Sequence, residues 1–131
     1  MAQIDKTEEE WKNELSEQEY HVLRQKGTEK PWSGTLLENK QKGVYECAAC
    51  GNELYSSNSK YDSGSGWPSF TDPINANAVE FEMDKSFGMI RTEVKCANCG
   101  SHLGHVFPDG PGASGQRYCM NSVAMKFKGE E

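Results

Sequence analysis

Several things this sequence has little of narrow what it can be. No apolar run approaches the roughly 20 residues that a membrane-spanning helix needs, and no basic amphipathic stretch suits a membrane surface. Basic residues are few, 14 against 20 acidic, for a net charge of -6. That balance argues against phosphate-backbone binding, which needs Lys/Arg stripes, so no nucleic-acid partner is expected. Hydrophobic residues make up only 35% of the 131. A core of that size gains from a metal cross-link, although a chain of this length can fold without one. The N-terminus lacks a basic segment followed by an apolar one and turns acidic at Glu8, Glu9 and Glu10, so no secretory or organellar signal is expected. Internal repeats and low-complexity tracts are missing too, apart from two similar cysteine pairs.

The residues that are present divide the chain. Thr7 with Glu10, and Ser16 with Glu19, are capping-box patterns. They predict short helices over 8–14 and 17–25, stopped by Gly27, and Lys30-Pro31-Trp32-Ser33-Gly34 cannot continue a helix. Residues 1–34 read as a helical segment packed on the body of one domain, 1–131. From Gly43 onward the periodicity is two. Val79, Phe81 and Met83 alternate with Glu80, Glu82 and Asp84; Ile90, Thr92 and Val94 alternate with Arg91, Glu93 and Lys95; Val123, Met125 and Phe127 alternate with Ala124, Lys126 and Lys128. Such alternation predicts half-buried strands with one wet face, the first two joined by a hairpin at Asp84-Lys85-Ser86-Phe87-Gly88. The stretches 61–73 and 108–116 are too rich in turn residues to be regular.

Four of the five cysteines form two near copies, Cys47-Ala48-Ala49-Cys50-Gly51 and Cys96-Ala97-Asn98-Cys99-Gly100, each after a predicted strand. Two such knuckles supply four thiolates for a tetrahedral Zn²⁺ and leave no position for water, the pattern of a structural site. Free thiols, two disulfides or redox-active pairs are the competing readings. A redox Cys-x-x-Cys sits at a helix start, and no helical pattern follows either pair. An odd cysteine count with two such pairs suits a reducing compartment, hence a cytoplasmic location.

Cys119 is the cysteine left over. A lone thiol beside a complete metal set reads either as a small buried hydrophobe or as a nucleophile. As a nucleophile it needs a cation or hydrogen-bond donors close by. In an extended segment Arg117 and Asn121 project on its side. His102 and His105 follow the second knuckle; they are a polar network or an acid and an electrostatic stabiliser. Three residues apart, they do not share a face of a regular strand, so a kink at Gly104 is expected. Trp67, between Gly66 and Pro68, is a core plug or an aromatic wall for a ligand.

Taken together, these segments resemble methionine-(R)-sulfoxide reductase, the B class of the enzymes that repair oxidised methionine. The marks are Gly27-Thr28-Glu29, Gly66-Trp67-Pro68-Ser69-Phe70, Arg91-Thr92-Glu93, the run from His102 to Pro111, and Arg117-Tyr118-Cys119-Met120-Asn121-Ser122. The resemblance spans the chain from Trp11 to Phe127. It implies a mainly β fold of two antiparallel sheets with short N-terminal helices and a structural zinc staple on Cys47, Cys50, Cys96 and Cys99. It implies that Cys119 attacks the sulfoxide sulfur and becomes a sulfenic acid, which thioredoxin or another thiol restores. His102, His105 and Asn121 would bind and protonate the oxygen, Trp67 would hold the methyl group, and Arg117 and Asp109 would tune the thiolate and the histidines. The expected enzyme is a monomer acting on free or protein-bound methionine sulfoxide. In one respect the sequence departs from many members: Ser65 stands where they carry a resolving cysteine. Either the sulfenic acid is recycled directly by an external thiol, or Ser65 is an introduced replacement. The alternative to an enzyme is a zinc-bound β-module that binds a basic partner, with Cys119 incidental; such a module has no need of the His and Trp constellation.

Overall fold

The computed structural model describes residues 6–85 and 88–129. Helices α1 (Glu8–Glu14) and α2 (Glu17–Gln25) lie where the capping boxes put them, and both boxes close reciprocally, Thr7 with Glu10 and Ser16 with Glu19. Each cap satisfies helix N–H groups that have no partner within the helix. The helices bury Trp11, Val22 and Leu23. The stop of α2 differs from expectation. Lys26, not Gly27, takes the left-handed conformation, at φ 57°. Gly27 is needed for closeness instead, because a Cβ there would come within 2.3 Å of the His21 ring.

Nine strands follow among the described residues: β1 (Gly43–Cys47), β2 (Glu53–Ser56), β3 (Lys60–Tyr61), β4 (Ser69–Phe70), β5 (Val79–Asp84), β6 (Arg91–Cys96), β7 (His102–Phe107), β8 (Arg117–Met120) and β9 (Met125–Gly129). They form two antiparallel sheets, ordered β2-β1-β9 and β3-β4-β8-β7-β6-β5. The molecule is thus mainly β, as the sequence predicts. Aromatic rings join the sheets: Phe70 of the larger stacks on Tyr55 at 4.4 Å and meets Tyr45 edge-on at 5.1 Å. Such pairs add about 0.5–1.5 kcal/mol each beyond the area they bury. No helix among the described residues is long and apolar enough to cross a membrane.

Four expectations differ from the structure, the first being that 61–73 is irregular, since Ser69–Phe70 within it forms β4 and pairs with β3 and β8. Phe81, Met83 and Ile90 do not reach the core; they are 53%, 65% and 75% exposed. Strand β5 is the edge of its sheet, where the apolar face runs past its cover. On the opposite, nominally wet face, Asp84 and Glu93 are buried. The third strand begins at Met125, since Ser122–Ala124 is a single 3-10 turn. The hairpin between β5 and β6 forms with Asp84 opposite Arg91, while Ser86 and Phe87 of its turn lie outside the described residues.

Candidate active site

Cys119 occupies the middle of the six-stranded sheet. It is opposite Ser69 of β4 on one side and His105 of β7 on the other. Paired residues of neighbouring strands project to one face, so the register carries that face from Cys119 to His105, Glu93 and Glu82 in turn. Arg117, two residues before Cys119, and Asn121, two after, line the same cavity as the thiol. Gly104 lets β7 and β8 close tightly, for a Cβ there would lie 2.1 Å from the Cys119 carbonyl oxygen.

The histidines share that face by a bulge rather than a kink. Lys95 pairs with His102, Val94 with Gly104 and Glu93 with His105. Two steps on β6 therefore match three on β7, and the extra residue, Leu103, absorbs the odd spacing. His102 Nδ1–H donates to Glu93 Oε2 at 2.8 Å and His105 Nε2–H to Asp84 Oδ2 at 2.8 Å. The rings stand 5.3 Å apart. His102 Nε2 is buried with no hydrogen-bond partner among the described residues. Burial pushes the His105 pKa down and outweighs the pull of Asp84, so the ring is neutral at rest. Burial alone would raise the Glu93 carboxyl, but its bond to His102 and the nearby Lys26 ammonium hold it below the usual range.

The cavity is about 230 Å³, walled by Trp67, Phe107, Arg91, Gly104, Thr28 and Ser65 besides Cys119, His105, Arg117 and Asn121; His102 stands behind His105 and does not line it. Trp67 is fixed at both ends of its segment. Its Nε1–H donates to the Glu29 carbonyl at 3.0 Å, and the Gly66 carbonyl accepts from Trp32 N–H at 2.7 Å. Gly66 has φ 93°, a conformation that costs glycine nothing. Glu29, itself buried, takes Asn121 as well: its backbone N–H donates to Asn121 Oδ1 at 3.0 Å, while Asn121 Nδ2 donates to the Leu103 carbonyl. One amide hydrogen of Asn121 stays free of these bonds. A larger hollow of about 700 Å³ near Trp32 and Tyr61 is lined by neither cysteine nor histidine.

Arg117 is committed to Asp109, Nε to Oδ1 at 2.8 Å, and lies over the Phe107 ring at 4.5 Å. The pair holds the Asp109 carboxyl below its usual range, with the Arg117 hydrogen bond as the main cause. The acids that meet the histidines are Glu93 and Asp84, not Asp109. Cys119 is 9% exposed. Burial raises its thiol pKa, outweighing the Ser65 hydrogen bond and the Arg117 charge, so the resting group is the thiol rather than a thiolate. Ser65 Oγ lies 3.8 Å from Cys119 Sγ and 2.8 Å from Ser63 Oγ, which in turn lies 2.7 Å from Ser69 Oγ. Thr28, Glu29, Ser65, Asp84, Arg91, Glu93 and Phe107 were thus not assigned roles from sequence. Five of them, Thr28, Glu29, Arg91, Glu93 and Phe107, fall inside segments that carry the resemblance, which is the available signal.

The other four cysteines converge elsewhere, at the ends of β1 and β6 and the turns after them; none lines the cavity. Cys47 and Cys99 sulfurs are 3.7 Å apart, Cys50 and Cys96 3.6 Å, and all four lie within 4.8 Å of one another. Four thiolates about 2.3 Å from a tetrahedral zinc ion would be about 3.8 Å apart. The set fits such an ion and could hold a zinc, whereas disulfide sulfurs approach to about 2.05 Å. Gly51 at φ 81° and Gly100 at φ 75° close the two turns.

Known proteins match this arrangement along its length. The SelR domain model matches residues 15–129. A protein of Methanosarcina barkeri (strain Fusaro / DSM 804) is 60% identical, the match covering 100% of this chain and 94% of that one. One of Methanosarcina mazei is 59% identical over 100% and 95%, and one of Leptospira interrogans 53% over 98% of each. All three are named peptide methionine sulfoxide reductase MsrB. A cavity built on Cys119, a four-cysteine cluster apart from it and a match of this extent lead to one conclusion: the chain belongs to the SelR-domain family, that of the MsrB methionine sulfoxide reductases.

Proposed function

We propose that this protein, acting as one domain, reduces the R epimer of methionine sulfoxide to methionine through a sulfenic acid on Cys119, and so repairs oxidised proteins. The observation that carries the reading is a cavity that holds the lone thiol with an indole wall and the Asp84-anchored His105, whose ring stands 5.3 Å from the Glu93-anchored His102. Methionine sulfoxide presents an apolar methyl group beside a polar S=O, and one reductase serves each epimer. Trp67 takes the methyl. The oxygen leaves sulfur only if it is protonated, so it lies toward His102, His105 and the free amide hydrogen of Asn121.

The reaction balances without another reactant. The Cys119 thiol and the sulfoxide give the sulfenic acid and the thioether, the oxygen passing from substrate to Cys119. Because the resting group is a thiol, its proton is available to the leaving oxygen through the histidines. Arg117, held by Asp109, stabilises the thiolate as it forms. Two equivalents of an external thiol then give back the Cys119 thiol, a disulfide and water. Ser65 lies 3.8 Å from the sulfur, and a serine cannot form a disulfide, so recycling falls to thioredoxin or another external thiol. Cys47, Cys50, Cys96 and Cys99 would hold zinc, which cross-links the chain and supplies no chemistry. The enzyme works as a cytoplasmic monomer in this reading.

Separate incubations with the R and S epimers of a methionine sulfoxide and dithiothreitol test the proposal. Turnover of the R epimer alone is expected. Turnover of the S epimer, or of neither, would sink it.

A further inference from the structure

Each active-site histidine carries the same attachment, a carboxylate with a cation behind it. Asp84 Oδ2, bonded to His105, meets Arg91 Nη2 at 3.5 Å. Glu93, bonded to His102 through Oε2, meets the Lys26 ammonium through Oε1 at 3.3 Å. A buried carboxylate facing an imidazole favours the imidazolium, and a cation behind the carboxylate offsets that pull. Arg91 also forms part of the cavity wall. Lys26 does not. It follows α2, its side chain is 51% exposed, and its direct contact with the site is Glu93, which is 1% exposed; it feels Asp84 and Glu82 at longer range. Its left-handed backbone is uncommon for a residue with a side chain, although Gly27 follows directly. That turn aims the ammonium at Glu93.

We propose that Lys26 is a positioning residue that governs the charge of His102 through Glu93. The inference deepens the reductase reading and rests on it. The other charged groups around His102 do not duplicate this role. Lys95 of β6 is opposite His102 in register, but its ammonium lies toward Glu82 of β5, at 3.9 Å. Arg24 of α2 is taken by Glu8 and by the Cys99 carbonyl. Arg91 faces Asp84, while His105 and Cys119 of the neighbouring strands are the groups His102 serves. Among the described residues, Glu93 is the acid within hydrogen-bond reach of His102.

Removing the cation leaves Glu93 unopposed, which favours the protonated form of the imidazole bonded to it. An acid catalyst that keeps its proton longer extends activity upward. For Lys26→Met, kcat/KM on methionine R-sulfoxide is expected to match the unsubstituted protein near about pH 6 and exceed it about threefold near about pH 9. Lys26→Arg, which restores the charge at the same backbone conformation, should return the original profile. The pH at which the His102 ring resonance moves, followed by NMR, should rise by about half a unit in Lys26→Met and not in Lys26→Arg. A merely structural lysine would lower the melting temperature or scale activity equally at every pH. A His102 resonance midpoint that stays or falls in Lys26→Met overturns the proposal. Absence of R-epimer turnover in the unsubstituted protein would instead overturn the reductase reading, and the NMR titration would still decide the role of Lys26.

Discussion

Cys119→Ser is expected to lower turnover of methionine R-sulfoxide by at least about a thousandfold, because the nucleophile of a covalent mechanism has no substitute. No other cysteine lines the cavity. A serine oxygen would fit the same place, beside Ser65 and within the hydrogen-bonded set of Ser63 and Ser69. It would not attack sulfur, since a hydroxyl gives up its proton far less readily than a thiol and is the weaker nucleophile. The change replaces one small group by another at the centre of a paired strand, and it touches none of the four clustered cysteines. Metal content and melting temperature should therefore stay as they were. Metal loss in this variant, or residual turnover above about one percent of the original, would contradict the separation of a reactive cysteine from a structural set.

Cys96→Ser is expected to act in the opposite way, through stability. Cys96 ends β6 of the larger sheet and Cys99 lies in the turn after it, while Cys47 ends β1 of the smaller sheet and Cys50 lies in the turn after that. Forty-five residues separate Cys50 from Cys96. Cross-linking a loop of about that length removes chain entropy worth about 4 kcal/mol. In a chain of this size that corresponds to a fall in melting temperature of about 12–20 °C. The loss also leaves three buried or half-buried thiolate ligands without their counter-charge, which adds to it. Differential scanning calorimetry with zinc analysis reads both effects. A melting temperature within about 3 °C of the original, with a full equivalent of zinc retained, would contradict the staple.

Local signals in the sequence were legible wherever a short span determines the structure. The capping boxes placed both helices, because a cap is settled within four residues. The knuckles were legible for the same reason: cysteine spacing and the glycine after each pair define the turn. The alternation around Cys119 correctly brought Arg117 and Asn121 to its cavity. What failed depends on pairing across the sheet. Asp84 and Glu93 read as solvated members of a wet face, because nothing near them in sequence shows that His105 and His102 lie opposite. Phe81 and Met83 read as core, because an edge position is a property of the whole sheet, and Ile90 did too, although it lies in the connection before β6. The bulge at Leu103 that unites the histidines depends on its register with Val94 and Lys95, two residues of another strand. Nor could any local pattern show that the Glu29 backbone holds both Trp67 and Asn121, residues 38 and 92 positions away.

The central claim is that Cys119 itself takes the oxygen and that no second thiol waits to remove it. A single turnover without reductant tests this directly. One equivalent of methionine R-sulfoxide is mixed with the protein, and the peptide containing Cys119 is weighed by mass spectrometry with and without a sulfenic-acid trap. The expected result is one methionine released per protein, with one oxygen gained at Cys119 and available to the trap. Release of methionine with no change at Cys119, or with the loss of two hydrogens that marks an internal disulfide, would contradict it.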